Sequence, residues 1–159
     1  MANAKSDICA KLLASYQPEQ ALKSRKEVSV LERGVHYKTE IVPQRKTVVF
    51  QIDGDIIQEG KRCDKLILAK DSANGSLWTG CFVELKGSDV ESAIDQLERT
   101  ITHQVFNDPT LQKKFARIVS SAGMPANNGH TKIEKAKIKF RQKYGCELRR
   151  LRSKQLDNI

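Results

Sequence analysis

The chain has 159 residues, with 28 Lys and Arg against 19 Asp and Glu, which gives a net charge of +9. This length suits a single domain over 1–159, and the apolar content argues against a disordered chain. No apolar run is long enough to cross a membrane and no signal peptide is visible, so we expect a cytoplasmic protein without a membrane partner. The four cysteines form no CxxC pair, which argues against a disulfide framework or a structural zinc site. The basic balance favours a polyanionic partner, nucleic acid first.

The first half of the chain predicts two helices followed by three strands. Residues 7–16 place apolar side chains at helical spacing. Pro18 can begin a second helix over 18–31, which Gly34 ends. Apolar runs separated by turn residues then predict an antiparallel meander of three strands at 47–52, 62–69 and 77–86.

The second half predicts a long amphipathic helix and a further strand. Ser88 can cap this helix together with Glu91, and its apolar stripe continues to Val105. A short helix from about Leu111 and a buried strand over 115–121 come next. The chain then continues through a loop, a lysine-rich helix and a last strand, at 123–129, 131–144 and 146–152.

This order of elements predicts an α+β (mixed α/β) domain with a central mixed sheet flanked by helices. We assign 7–122 to its core and 130–159 to a basic C-terminal helix and strand. The second segment has ten Lys and Arg against three Asp and Glu, or +7 of the total charge. Its basic side chains could contact phosphates, or form a solvated helix face and a charged edge strand. The predicted nucleic-acid-binding residues are Lys132, Lys135, Lys139, Arg149, Arg150 and Arg152.

Two carboxylates are brought together by the second and third predicted strands. Glu84 and Lys86 are two residues apart, so both point to one face of their strand. If the hairpin is centred on Asn74, Asp64 lies opposite Glu84 and their Cβ atoms are about 4.5–5.5 Å apart. A two-residue turn would instead place Asp64 opposite Leu85 and would need a bulge to bring the carboxylates to one face. The repulsion between the carboxylates therefore favours the first register with a cation between them.

A hard divalent cation, Mg²⁺ or Mn²⁺, suits such a pair because it prefers oxygen ligands. Asp64 and Glu84 would bind it through their carboxylates, and Leu85 through its backbone carbonyl. Lys86 would hold or help to deprotonate the attacking water and balance charge near a scissile phosphate. The metal would act as a Lewis acid.

This constellation resembles the PD-(D/E)XK nuclease superfamily, whose restriction-endonuclease-like core has the order αβββαβ. Asp64 matches the aspartate of the motif, and Glu84 to Lys86 match its ExK. The resemblance covers roughly residues 7–122. It implies a Mg²⁺-dependent endonuclease acting on nucleic acid, with DNA as the expected substrate. A homodimer or a partner protein would then choose the substrate.

The helix after the ExK motif supports this resemblance in part. Gln96 matches a glutamine of the RecB-like members, which implies a catalytic role, while Thr100 stands where those members have tyrosine. Many members also place a glutamate on the first helix. The sequence leaves three choices for it, namely Glu19, Glu27 and Glu32.

Three hypotheses of function remain open at the level of sequence. The first is a nuclease that hydrolyses phosphodiester bonds through Asp64, Glu84, Lys86 and Gln96. The second is a non-catalytic, nuclease-like module that binds nucleic acid or a protein partner in a defence or mobile-element system. The third is a structural or inhibitory partner that uses the fold as a scaffold.

Overall fold

The described residues, 6–85, 89–121 and 129–159 of a computed structural model, form a mixed sheet with three helices on it. The helices are α1 (Ile8–Ser15), α2 (Val90–Ile101) and α3 (His130–Tyr144), and a short 3-10 turn covers Gln104–Phe106. The strands are β1 (Gln20–Glu32), β2 (Val35–Gln51), β3 (Lys65–Lys70), β4 (Trp78–Leu85), β5 (Leu111–Ser120), β6 (Cys146–Arg152) and β7 (Leu156–Asn158).

The strand order in the sheet is β1-β2-β3-β4-β5-β6, and β7 pairs with β2. Strands β1 to β4 form an antiparallel meander, whereas β5 and β6 continue the sheet in parallel with β4. Parallel neighbours need a crossover, and α2 and α3 supply the two crossovers. The predicted α+β class with a mixed sheet is therefore confirmed. None of the described helices has the length and apolar character needed to cross a membrane.

The sheet separates two apolar clusters. The larger cluster joins residues of all three helices to one face of the sheet, including Leu12, Leu97 and Phe140. The smaller cluster lies on the other face, where the β1–β2 hairpin contributes Val28 and Tyr37. In the described part of the chain, the helices thus cover one face of the sheet, and strands contribute the second cluster. The prediction of a sheet flanked by helices therefore holds for one face of the sheet, on which all three described helices lie.

The predicted helix over 18–31 is wrong, because this segment is the strand β1. Its buried residues Val28 and Val30 alternate with exposed neighbours, as on a strand with one covered face, whereas Leu31 stays 53% exposed. Arg33 and Gly34 have φ of 49° and 79°, the left-handed geometry of a tight hairpin turn. Gly34 therefore turns the chain into β2 instead of ending a helix.

Two smaller expectations are also corrected. The segment from Leu111 is the beginning of β5 and not a short helix, because it pairs with β4 from Trp78 onward. The side chain of Asp89 caps α2, accepting a hydrogen bond from the Ser92 amide at 2.9 Å, in the role predicted for a serine one residue earlier. Ser88 itself and the loop predicted over 123–129 lie wholly or mostly outside the described residues. The four cysteines are free and buried, as packing thiols should be.

Candidate active site

The hairpin between β3 and β4 has the register that the sequence favoured. Lys65 lies opposite Val83 and Leu66 opposite Phe82, so the numbers of partner residues add up to 148 and the hairpin is centred on Asn74. Asp64 is the residue immediately before β3, and Glu84 is the next residue of β4 after Val83. The register therefore brings these two residues to adjacent positions where the two strands meet.

The carboxyl groups of Asp64 and Glu84 are in hydrogen-bonding contact. Oδ2 of Asp64 also accepts a hydrogen bond from the Leu85 amide at 2.8 Å, and the Asp64 amide donates to the Val83 carbonyl at 3.1 Å. Glu84 is 1% exposed and stands on β4 among apolar residues. A buried and a half-buried acidic group thus lie side by side, where Coulomb repulsion is stronger than in water.

Burial raises the pKa of Asp64, and the nearby carboxylates of Glu32 and Asp53 raise it further. The hydrogen bonds from the Leu85 amide and with Glu84 act in the opposite direction without reversing the rise. A raised carboxyl pKa means that the folded protein holds a proton at this pair more strongly than the unfolded chain does. Either a shared proton or a bound cation can relieve the repulsion between the two groups.

Gln96 extends the site from α2. With its amide oriented to satisfy its neighbours, the nitrogen donates to Glu84 Oε2 at 2.8 Å and to the Ser92 carbonyl at 3.2 Å. This bond fixes one oxygen of Glu84 and leaves the carboxyl directed toward Asp64. The structure thus brings three of the four predicted catalytic residues together, with Leu85 beside them, while Lys86 lies outside the described residues.

Thr100 connects the same helix to the other carboxylate. Its hydroxyl accepts a hydrogen bond from the Cys63 amide at 2.8 Å and donates to the Gln96 carbonyl at 2.7 Å. Thr100 is fully buried, so the hydroxyl satisfies a backbone amide that water does not reach. The residue that departs from the RecB-like pattern therefore holds the chain immediately before Asp64. Sequence reasoning missed this role, although the spacing of four residues from Gln96 indicates a shared helix face.

The buried Lys65 binds two of the acidic residues near the site. The Lys65 side chain is 4% exposed, forms ion pairs with Glu19 and Glu32, the latter at 3.2 Å, and donates to Gln51 Oε1 at 2.5 Å. Glu32 lies near enough to Asp64 to raise its pKa. Glu27 instead forms an exposed ion pair with Lys38 on the β1–β2 hairpin. Of the three glutamates considered for the first helix, two therefore bind Lys65, and Glu32, which affects Asp64, is on a strand.

The donor atoms of the site are oxygens, which is the preference of Mg²⁺ and Mn²⁺. Mg²⁺ is commonly bound by one or two carboxylates, with water and substrate phosphates completing its shell. Asp64 and Glu84 fit that demand. Within the described ranges, no cluster of three or more His, Cys, Asp or Glu side chains is arranged to hold a metal ion. The site thus offers two carboxylates and depends on backbone, water or substrate for further ligands.

The predicted nucleic-acid-binding residues do not form one surface. Lys132 pairs with Glu91 at 2.5 Å and, together with Lys135, lines a cavity of about 670 Å³ beside α2. Arg149 lines a different groove, at the start of β6, and pairs with Asp157 at 2.9 Å. Lys139 is on the same face of α3 as Lys132 and Lys135 and pairs with Glu98, whereas Arg150 donates to Ser120 and Arg152 is exposed.

Comparisons with protein-family models, with curated proteins and with solved structures found no match to this chain.

Proposed function

We propose that the chain is a Mg²⁺-dependent nuclease that hydrolyses phosphodiester bonds in nucleic acid. The observation that carries this proposal is the contact between the carboxyls of Asp64 and Glu84 at the junction of β3 and β4. Two carboxyls in contact, one of them buried, repel each other, and a bound cation or a shared proton relieves that repulsion. A divalent cation between carboxylates is a common means of phosphoryl chemistry.

The order of elements supports the same proposal. From α1 to β5 the chain has the order αββββαβ, which is the αβββαβ order with one additional strand, β1, between α1 and β2, and strands that are neighbours in sequence are also neighbours in the sheet. Asp64 immediately precedes β3 and Glu84 is on β4, close to the positions on consecutive strands that the PD-(D/E)XK resemblance implies. A restriction-endonuclease-like core is the arrangement that this topology supports best.

Each residue has a definite part in the proposed chemistry. Asp64, Glu84 and the Leu85 carbonyl would hold Mg²⁺ or Mn²⁺, which would polarise the phosphate and lower the pKa of its bound water. Gln96 holds the Glu84 carboxyl by its 2.8 Å hydrogen bond. Lys86 would hold or help to deprotonate the attacking water and balance charge near the scissile phosphate. A second copy of the chain or a partner protein would select the nucleic acid, for which DNA remains our first choice.

A non-catalytic nuclease-like module is the second candidate, and one observation favours it. Oδ2 of Asp64 already accepts the Leu85 amide at 2.8 Å, and the described residues offer no third side-chain ligand. A site in which the acids share a proton could hold the two strands together without chemistry. Such a module would bind nucleic acid or a protein partner and leave phosphodiester bonds intact.

A cleavage assay separates these two functions. Purified protein is incubated with single-stranded DNA, duplex DNA and RNA in Mg²⁺, in Mn²⁺ and in EDTA. We expect metal-dependent products that are lost in Asp64→Asn, Glu84→Gln and Lys86→Met. Glu40→Gln, which neutralises an exposed acid on β2, is the matched control and should cleave like the wild type. Absence of cleavage under both metals, or cleavage by all variants alike, would overturn the proposed nuclease.

A further inference from the structure

A groove far from the carboxylates gathers positive charge at the start of β5 and β6. It has a volume of about 530 Å³, within the range of ligand-binding clefts. We call it the basic groove. Its charged lining residues are five cations and one acid, Lys113, Lys114, Lys137, Arg141, Arg149 and Glu147. Phe115 also lines it.

The cations of the basic groove come from three separate elements. Lys113 and Lys114 are on β5, Lys137 and Arg141 are on α3, and Arg149 is on β6. The elements meet here because α3 ends at Gly145, a left-handed C-cap, and the next residue begins β6. The parallel ladder then places Lys114 beside Cys146. The convergence is thus a consequence of the fold and not of a local run of basic sequence.

The basic groove is distinct from the carboxylate site. Glu84 pairs with Ile118 on β5, and Lys114 is four residues earlier on the same strand. At about 3.3 Å per residue, these positions are about 13 Å apart along the sheet. A ligand in the basic groove would therefore leave Asp64 and Glu84 free to act on another part of the same molecule.

Most of this charge has no counter-ion within the described residues. Lys137 pairs with Glu134 at 3.1 Å, and Arg149 pairs with Asp157 and Glu147. Lys113, Lys114 and Arg141 form no ion pair with any residue that the structure describes. Arg141 is in the last turn of α3, where the helix dipole stabilises a cation. Lys113 and Lys114 are on a strand, so no helix dipole stabilises their charges. Like charges held together repel one another, and a bound polyanion would remove that repulsion.

We propose that the basic groove binds the phosphate backbone of single-stranded nucleic acid. This inference rests on the proposed nuclease function in one respect: that function is the reason to expect nucleic acid and not another polyanion as the ligand. Cations that follow a backbone, with an aromatic residue among them, are the combination found in proteins that bind single strands. Phe115 is half-buried and lines the basic groove, so an aromatic side chain and cations occur together there.

The test measures binding without cleavage, by fluorescence anisotropy of a labelled single-stranded oligonucleotide in EDTA over a series of salt concentrations. The groove variant is K113Q/R141Q. The control K23Q/K26Q removes the same charge from exposed positions on β1, at the opposite edge of the sheet. We expect affinity to fall about tenfold in the groove variant, and the slope of log affinity against log salt to decrease by about 1.4, because two phosphate contacts are lost. The control should lose about twofold or less.

Three results would overturn the proposal: no binding by the wild type at low salt, equal losses in the two variants, or equal affinity for polyglutamate, which would indicate an acidic protein ligand. Thermal denaturation of both variants checks that they fold. If only the groove variant loses binding while no protein cleaves, the nuclease proposal fails and the basic groove stands.

Discussion

At the scale of single residues, the account depends on two acids that touch. Asp64 reaches Glu84 because it immediately precedes β3 and the hairpin register brings its position against β4. The Leu85 amide and the Gln96 side chain each bind one member of the pair. These bonds hold the carboxyls in place, while burial makes their negative charge costly. Stability and metal binding should therefore both respond to the loss of one charge.

Asp64→Asn should raise the thermal midpoint of unfolding at neutral pH. The raised pKa of Asp64 means that its folded form binds the proton more tightly, so wild-type stability falls as pH rises from about 4 through the folded pKa. The variant has no titrating carboxyl at this position, and its side-chain oxygen can still accept a hydrogen bond from the Leu85 amide. Its advantage should therefore be small at pH about 4 and largest at pH about 8. Added Mg²⁺ should stabilise only the wild type. A difference in midpoint that does not change with pH would contradict this account.

Thr100→Val should cost about 1–3 kcal/mol of unfolding free energy, because the buried Cys63 amide loses its acceptor. Thr100→Ser keeps the hydroxyl and should recover much of that loss. The control is Thr102→Val, whose exposed hydroxyl bonds only to carbonyls of its own helix and should change stability by about 0.5 kcal/mol or less. Urea denaturation measures all three. Equal effects of the two valine variants would show that Thr100 has no special part in holding the Asp64 segment.

At the scale of elements, Lys65, the first residue of β3, connects this strand to three other segments. It binds Glu19 after α1, Glu32 at the end of β1 and Gln51 at the end of β2. Burial alone would lower the pKa of Lys65, but the bonds to Glu19 and Glu32 outweigh it and raise the pKa. The ammonium is therefore charged throughout the physiological range.

Lys65→Met should destabilise the protein by about 2–3 kcal/mol, toward the lower end for a buried ion pair, since both glutamates are partly exposed. The loss should be complete at neutral pH and should shrink only as the pH rises above 10.5, where the unfolded lysine loses its proton. Lys70→Met, at the other end of β3, is the control with a single exposed hydrogen bond. Denaturant unfolding at pH 7 measures the free energy of unfolding of both variants. Equal losses of stability would contradict the role of Lys65.

The elements that the sequence predicts well are those in which local pattern and tertiary burial agree. The stripe of α2 buries Val90, Ala93 and Leu97 as its spacing indicates. The segment that forms β1 carries charges and only two buried valines, and its strand structure comes from pairing with β2 rather than from its own pattern. The start of β5 is likewise determined by pairing with β4, a contact between residues distant in sequence.

The candidate site could be predicted in part for a similar reason. The position of Asp64 relative to Glu84 follows from a local hairpin, which the turn residues nearly determine. Thr100 bonds to Cys63, 37 residues away in sequence, and Lys65 to Glu19, 46 residues away, so spacing along the chain does not reveal these contacts. The charges of the basic groove likewise come from three elements that only the finished sheet brings together.

At the scale of the whole molecule, the C-terminal strand is held by a buried ion pair. Asp157 on β7 and Arg117 on β5 are both fully buried, with 2.5 Å between Oδ2 and Nε, and the Tyr37 hydroxyl donates to the same oxygen at 2.6 Å. Arg149 reaches Oδ1 at 2.9 Å. This network connects β2, β5, β6 and β7, so it fixes the C-terminal strand to three other strands of the sheet.

Asp157→Ala should destabilise the protein by about 3–5 kcal/mol, because it leaves the Arg117 charge buried without its partner. The double variant R117M/D157L should regain part of this loss, since it removes both charges. Glu147→Ala is the control, because this carboxylate is 51% exposed and 3.9 Å from Arg117. Burial would raise the pKa of Asp157, but the bonds from Tyr37 and Arg117 lower it, so this stability is lost as pH falls below 3.8. If R117M/D157L is less stable than Asp157→Ala, the buried unpaired charge of Arg117 is not the cause of the destabilisation.

The most direct test of the central claim is a crystal structure of the protein soaked with Mn²⁺, whose anomalous scattering locates the ion. The account predicts one strong anomalous peak between the carboxylates of Asp64 and Glu84, with the carboxyls moved apart to bind the ion, and no such peak in Glu84→Gln. Carboxyls that remain in hydrogen-bonding contact, with no anomalous peak between them at saturating Mn²⁺, would contradict it.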